Sequence, residues 1–314
     1  MAIEGRLRSG LLAHLDPDLA DLIFLAVSQD NSCRYCYATQ RAQLRILGFD
    51  EQKIRAIEQA SHSAQFDPSE RLALDYARRI SRANPAPSAS DEQALIDAGY
   101  SIEMLREATF AATSAVVANR LTTLLAIPLA PVEGIADRFS TRLLRPLIAR
   151  LIRSRDKPGR PEPLADDLKT GPFAYVGCAL DGLPVATLQC RTLAAAWESP
   201  ILTRRAKALV FAVVARGLGS ERMEREATEI LAANGLDEAR TMDVLAHLGS
   251  PELDPLESAI VPFARETIRY RPEDIQRRTR EMQALLSDEE LLELVGIVSL
   301  ANAAGRLSLA LCER

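Results

Sequence analysis

The chain has few of the residues that staple, stack or coordinate. Aromatic residues fill 5% of its 314 positions, with one Trp, six Tyr and eight Phe, while 47% are hydrophobic and 26% charged. Ala, Leu, Arg and Glu dominate instead, which favours packed amphipathic helices over sheets. Five cysteines are too sparse for a disulfide scaffold, so a close pair points to catalysis or metal binding. Only Cys33 and Cys36 are close. No second Cys-x-x-Cys and no His pair completes a zinc site, so no metal is expected. Gly217-Leu-Gly219 lacks the strand and βαβ context of a nucleotide fingerprint, so no cofactor is expected. A formal net charge of -5 is mild and gives no electrostatic reason for a nucleic-acid partner. No stretch of eighteen uncharged apolar residues is present, and Glu4 stands where a signal peptide carries its apolar core. A cytoplasmic chain without a membrane partner is expected.

What is present is repetition. The length suggests two domains, and a shift of 187 residues aligns Leu22 with Leu209, Phe24 with Phe211, Leu44 with Leu231, Gly48 with Gly235 and Asp67-Pro68 with Asp254-Pro255. After one residue is lost in a loop, a shift of 186 aligns Glu107 with Glu293 and Arg120-Leu121 with Arg306-Leu307. Matched Gly and Asp-Pro punctuation falls where turns belong. The expected fold is all-α, a tandem duplication of one helical bundle: residues 1–128, a connector over 129–200, and a second copy over 201–314.

Each copy reads as a helical array. In the first, Asp18 to Gln29 forms an apolar helix, and Asn31 or Ser32 caps a second that Gly48 stops. Asp50 caps a third, and Asp67-Pro68-Ser69-Glu70 opens a fourth with cap, first-turn Pro and first-turn acid. Asp91 to Ala98 makes a short helix, and Ser101 begins a long apolar one that Pro128 stops. In the connector, Arg138, Arg142, Arg145, Arg150 and Arg153 punctuate a Leu/Ile-rich stretch. It reads as a peripheral helix with a solvated arginine face, the alternative being a membrane-surface or anion-binding role. Cys178, Cys190 and Trp197 read as core packing.

Cysteines spaced i and i+3 share a helix face, close enough for a small-loop disulfide or a proton transfer. With Asp30-Asn31-Ser32 as the cap, the pair falls in the first turn, where free N–H groups and the helix dipole favour thiolate. The residues leave redox chemistry, inert thiols and a metal site open.

Asp21, Asn31-Ser-Cys-Arg-Tyr-Cys-Tyr-Ala-Thr-Gln40, Leu47-Gly-Phe-Asp-Glu and Asn119-Arg-Leu together resemble the AhpD-like alkylhydroperoxidase and carboxymuconolactone decarboxylase superfamily. The resemblance implies helical units that pack into homo-oligomers. It implies Cys36 as the peroxidatic thiol, Cys33 as its proton donor and resolver, and Asp21 as a relay acid. The substrate would be a hydroperoxide and the reductant an external dithiol. Gln40 departs from the pattern, since it stands where the family carries His and cannot take a proton near neutral pH. Tyr35 cannot replace it, which leaves the helix terminus with Arg34 and Arg41 to favour thiolate, and His62 as a remote base. Weak peroxidase activity is therefore expected. In the second copy, Ser220, Met223, Ala227 and Ala208 stand for Cys33, Cys36, Gln40 and Asp21, so that copy reads as scaffold. Two alternatives remain: a lactone decarboxylase-like enzyme, and a non-catalytic helical scaffold that binds a ligand or partner.

Overall fold

The computed structural model describes residues 10–58, 66–128, 139–154 and 156–313. It is all-α, with fifteen α-helices and no strand among the described residues. The chain divides into two compact units. One comprises Met1–Thr122, Ile127–Pro163 and Gly182–Val185; the other comprises Thr123–Ala126, Leu164–Asp181 and Ala186–Arg314.

The first unit is built on α1, Pro17–Asp30, which is buried from Leu19 through Ser28. Asp16 caps it by accepting the Asp18 N–H at 2.7 Å, and Pro17 supplies a first-turn residue that needs no hydrogen bond. Helix α1 packs against α2 (Arg34–Leu47) and α4 (Pro68–Arg82). Gly48 ends α2 at φ +91°, a left-handed conformation that glycine adopts without strain, and the Phe49 N–H closes on the Leu44 carbonyl at 3.0 Å. Helix α3, Glu51–Glu58, starts after Asp50, whose carboxylate accepts the Gln52 N–H at 2.6 Å. Glu70 closes the capping box of α4 on the Asp67 N–H at 3.2 Å. Helix α5, Ala89–Asp97, begins earlier than its acids suggest, because Ser88 is the cap and Asp91 the reciprocal partner. Helix α6, Ile102–Leu124, brings Asn119 and Thr122 down to the start of α2.

Helix α7, Phe139–Arg153, runs through Pro146 and packs on α2. The helix is peripheral with Arg150 and Arg153 exposed, and it also turns Leu143, Leu144, Leu147 and Leu151 outward, at 70%, 49%, 65% and 53% exposure, which was not expected from the sequence. Ala149 is the residue buried on the other side. Arg153, itself 44% exposed, donates to the Leu47 carbonyl at 2.9 Å and to Asp18 at 3.1 Å. Arg138 lies outside the described residues.

The second unit contains α8 (Ala174–Cys178), most of α9 (Pro184–Glu198), and α10 (Arg204–Leu218) at its centre, packed on α11 (Glu221–Ala233), α13 (Pro255–Glu266) and α15 (Asp288–Leu311). Helices α12, Glu238–His247, and α14, Pro272–Gln283, complete it. The starts of α1 to α4 recur 187 residues later at Arg204, Glu221, Glu238 and Pro255. Asp254 and Glu257 form the same capping box as Asp67 and Glu70. Helix α15 is long and apolar enough to cross a membrane by composition, but 83% of its apolar window is buried in the fold. Trp197 and Cys190 are buried as expected, and Trp197 packs with Phe173 and Phe211 at centroid distances of 5.6 and 5.4 Å. Cys178 is half-buried.

The aligned acids Glu107 and Glu293 hold corresponding places. Glu107 is fully buried and accepts the backbone N–H groups of Ala13, His14 and Leu15 at 2.7, 2.9 and 2.7 Å, which fixes the chain entering α1. Glu293 accepts the Leu202 N–H at 3.2 Å and the Ser199 hydroxyl at 2.9 Å ahead of α10, and pairs with buried Lys207 at 2.6 Å. A buried carboxylate needs such donors to offset its desolvation.

Candidate functional site

The site lies at the start of α2. Neither Asn31 nor Ser32 caps that helix, which corrects the expectation. Asn31 is occupied below: its amide donates to Asn119 Oδ1 at 2.9 Å and its carbonyl oxygen accepts from Ser81 at 3.5 Å. Ser32 turns the chain at φ +50° with its side chain exposed. The cap is Cys33 itself, whose Sγ accepts the Cys36 N–H at 3.4 Å. A helix N-terminal donor therefore points at Cys33 rather than Cys36.

The two sulfurs meet at one hydroxyl. Cys33 Sγ and Cys36 Sγ each lie 3.1 Å from Thr122 Oγ1, and both residues are 2% exposed. Thr122 Oγ1 also lies 2.9 Å from the Ala118 carbonyl and 3.1 Å from the Asn119 carbonyl, so its one hydroxyl proton is shared between the main chain of α6 and the two sulfurs. Asn119 extends the network by donating to Ser28 at 3.0 Å. Thr122 was not singled out from the sequence, where only the preceding Asn119-Arg-Leu was; its signal was i+3 spacing from Asn119 on the same helix face.

Charge is not shared equally across this pair. The Cys36 thiol is pushed far above the ordinary cysteine range, first because Cys33 holds its proton in a hydrogen bond. Burial and the repulsion of any charge on Cys33 act in the same direction, and Thr122 and Asn119 oppose them. The pair thus keeps a proton on Cys36, with Cys33 as its acceptor.

Gln40 and Asp21 stand close to each other but not in a relay to the sulfurs. Gln40 is fully buried and donates to the main-chain carbonyl of Asp21 at 3.2 Å. The Asp21 carboxylate is bound instead by Gln43, at 3.1 and 3.2 Å. Arg41, expected as a nearby cation, is committed with Arg45 to Glu51, at 2.7 and 2.8 Å. These two guanidinium groups hold the Glu51 carboxyl down at about 2. Arg34 is exposed and Tyr35 half-buried. His14 and His247 are exposed, and His62 lies outside the described residues. Among the described residues, no three His, Cys, Asp or Glu side chains cluster to hold a metal ion.

Residues 4–79 match the carboxymuconolactone decarboxylase family, part of the AhpD-like superfamily. The match covers about a quarter of the chain, and that segment is what is similar to the family. No curated protein and no solved structure matches the chain. The matched segment contains Asp21, Cys33, Cys36 and Gln40, a cysteine pair with glutamine on the following turn.

In the second unit the aligned positions are filled differently. Met223 is fully buried where Cys36 would lie. Gly305 stands at the place of Asn119, and a Cβ there would come within 2.6 Å of Leu218 and 3.3 Å of Met223. The larger Met and Leu are thus accommodated by a missing side chain. Ser220 and Ser308, aligned with Cys33 and Thr122, both donate to Glu313.

Proposed function

We propose that this chain is a thiol oxidoreductase that reduces hydroperoxides slowly through Cys33 and Cys36. The observation that carries it is the placement of both sulfurs on the Thr122 hydroxyl at a helix N-terminus, within the segment that matches the superfamily. Turnover starts when the pair has lost one of its two protons to solvent and the other sits on Cys33, leaving Cys36 as the thiolate. The Cys36 thiolate then attacks the peroxide, the O–O bond breaks, the Cys33 thiol gives its proton to the departing alkoxide, which leaves as an alcohol, and Cys36 becomes a sulfenic acid while Cys33 becomes a thiolate. Cys33 attacks that sulfur, a disulfide forms and water leaves. An external dithiol returns the two electrons. With no imidazole on the pair among the described residues, the first proton transfer is the slow step. The second unit, without the pair, serves as scaffold, and the recurrent helix starts and paired acids support its origin as a duplicated copy.

A second reading, a non-catalytic binding scaffold, is favoured by the protonated Cys36 and the burial of both sulfurs. Lactone decarboxylation, the activity in the family's name, would need an acid–base group, and the Asp21 carboxylate is held by Gln43. Mass spectrometry after one equivalent of hydroperoxide separates these readings. A Cys33–Cys36 disulfide, with Cys178, Cys190 and Cys312 unmodified, supports the oxidoreductase; an unmodified pair under conditions that oxidise free cysteine supports the scaffold.

A further inference from the structure

Helix α7 carries an arrangement that the cysteine chemistry does not use. At about 100° per residue, Leu143, Leu147, Leu151 and Leu144 fall on one arc that Ile148 and Ile152 continue. The four leucines are exposed and the isoleucines half-buried. Arg150 borders this arc on one edge and Arg145 on the other. Between 139 and 153 there is no Asp or Glu, although the chain as a whole is acidic.

Behind the leucines, Arg145, Pro146, Ala149 and Arg150 line a cleft of about 740 Å³ against Leu47 and Gly48 at the end of α2. Arg145 Nε is buried there without a hydrogen-bond partner.

We infer that α7 is a peripheral docking helix for anionic lipid surfaces, with the leucine arc in the acyl boundary and Arg145 and Arg150 at headgroup phosphates. Long arginine side chains reach the headgroup level from the edges of a buried apolar stripe. A second copy of the chain fits less well. A two-fold contact would set an all-basic helix against itself. One helix of fifteen residues also offers a footprint of about 22 by 10 Å, well short of the roughly 800 Å² per partner of a stable interface.

The test is flotation of the full chain with phosphatidylcholine vesicles, with and without phosphatidylserine, at low and high salt. The expected result is binding only to the anionic vesicles, weakened by salt. Arg145→Gln and Arg150→Gln should each weaken it about fivefold, and Leu147→Glu should abolish it with helical content unchanged by circular dichroism. No binding to anionic vesicles at low salt overturns the inference, as does binding that Leu147→Glu leaves intact. Self-association that Leu147→Glu abolishes, without vesicle binding, overturns it in favour of a second copy.

Discussion

Replacing Thr122 by Val tests the candidate site at its hinge. The change keeps shape nearly constant and removes one oxygen that both sulfurs approach at 3.1 Å. That hydroxyl lowers the pKa of Cys36, which Cys33 and burial otherwise raise. A hydrogen bond to a charged group contributes about 1.5–3 kcal/mol, and one pKa unit is about 1.4 kcal/mol. Thr122→Val is therefore expected to raise the Cys36 pKa by roughly one to two further units and to cut the thiolate fraction at neutral pH about 10- to 100-fold. The assay is the rate of iodoacetamide alkylation at Cys36 against pH, read by peptide mass spectrometry, alongside peroxide consumption. Thr122→Ser should restore wild-type rates, because it returns the hydroxyl. If the Val variant alkylates as fast as wild type at every pH, Thr122 does not act on the thiolate and the geometric argument fails.

Gln40→His should raise peroxide consumption by about 10²-fold, the low end for a positioned base, and Cys36→Ser in the same chain should remove the gain; no gain would show that position 40 faces the Asp21 carbonyl without reaching the sulfurs. The raised Cys36 pKa makes the folded chain bind a proton that the unfolded chain releases near pH ~8.5. The pair's contribution to stability is therefore complete below that pH and declines above it, and denaturant midpoints at pH 8 and pH 10 should differ more for wild type than for Cys36→Ala. Lys207→Met leaves Glu293 buried without its cation, which is expected to cost about 3–5 kcal/mol and should appear as a lower midpoint in urea.

The all-helical class was legible because its signals are local. Asp67-Pro68, Gly48 and Ser101 each set a helix boundary through bonds that span five residues or fewer. The cysteine pair was visible for the same reason. Its surroundings were not, since they depend on contacts between distant segments. Nothing in Asn31-Ser32 shows that Asn31 is used 88 residues away at Asn119, leaving Cys33 as the cap. Nothing near Gln40 shows that it turns toward the main chain of Asp21. The outward leucines of α7 were hidden because Arg and Leu alternate there, and it is the burial of Ala149 against α2 that leaves Leu143, Leu147 and Leu151 facing solvent along with Arg150.

The second unit has a helical frame with features like those of the first and no cysteine pair at the aligned positions. What the units share is the buried acid that fixes the chain before the first long helix, Glu107 in one and Glu293 in the other, and the Asp-Pro caps. Those features stabilise the bundle, and their loss would leave buried backbone groups without partners. The cysteine site carries no such burden. Where Met223 and Leu218 fill the space, Gly305 gives up a side chain, and the polar ends of Ser220 and Ser308 turn to Glu313. Packing is satisfied either way. The second unit folds without a thiol pair at the aligned positions, so the chemistry of the pair is tested by changing Cys33, Cys36 or Thr122 alone, with the denaturant midpoint read beside the activity to separate the two effects.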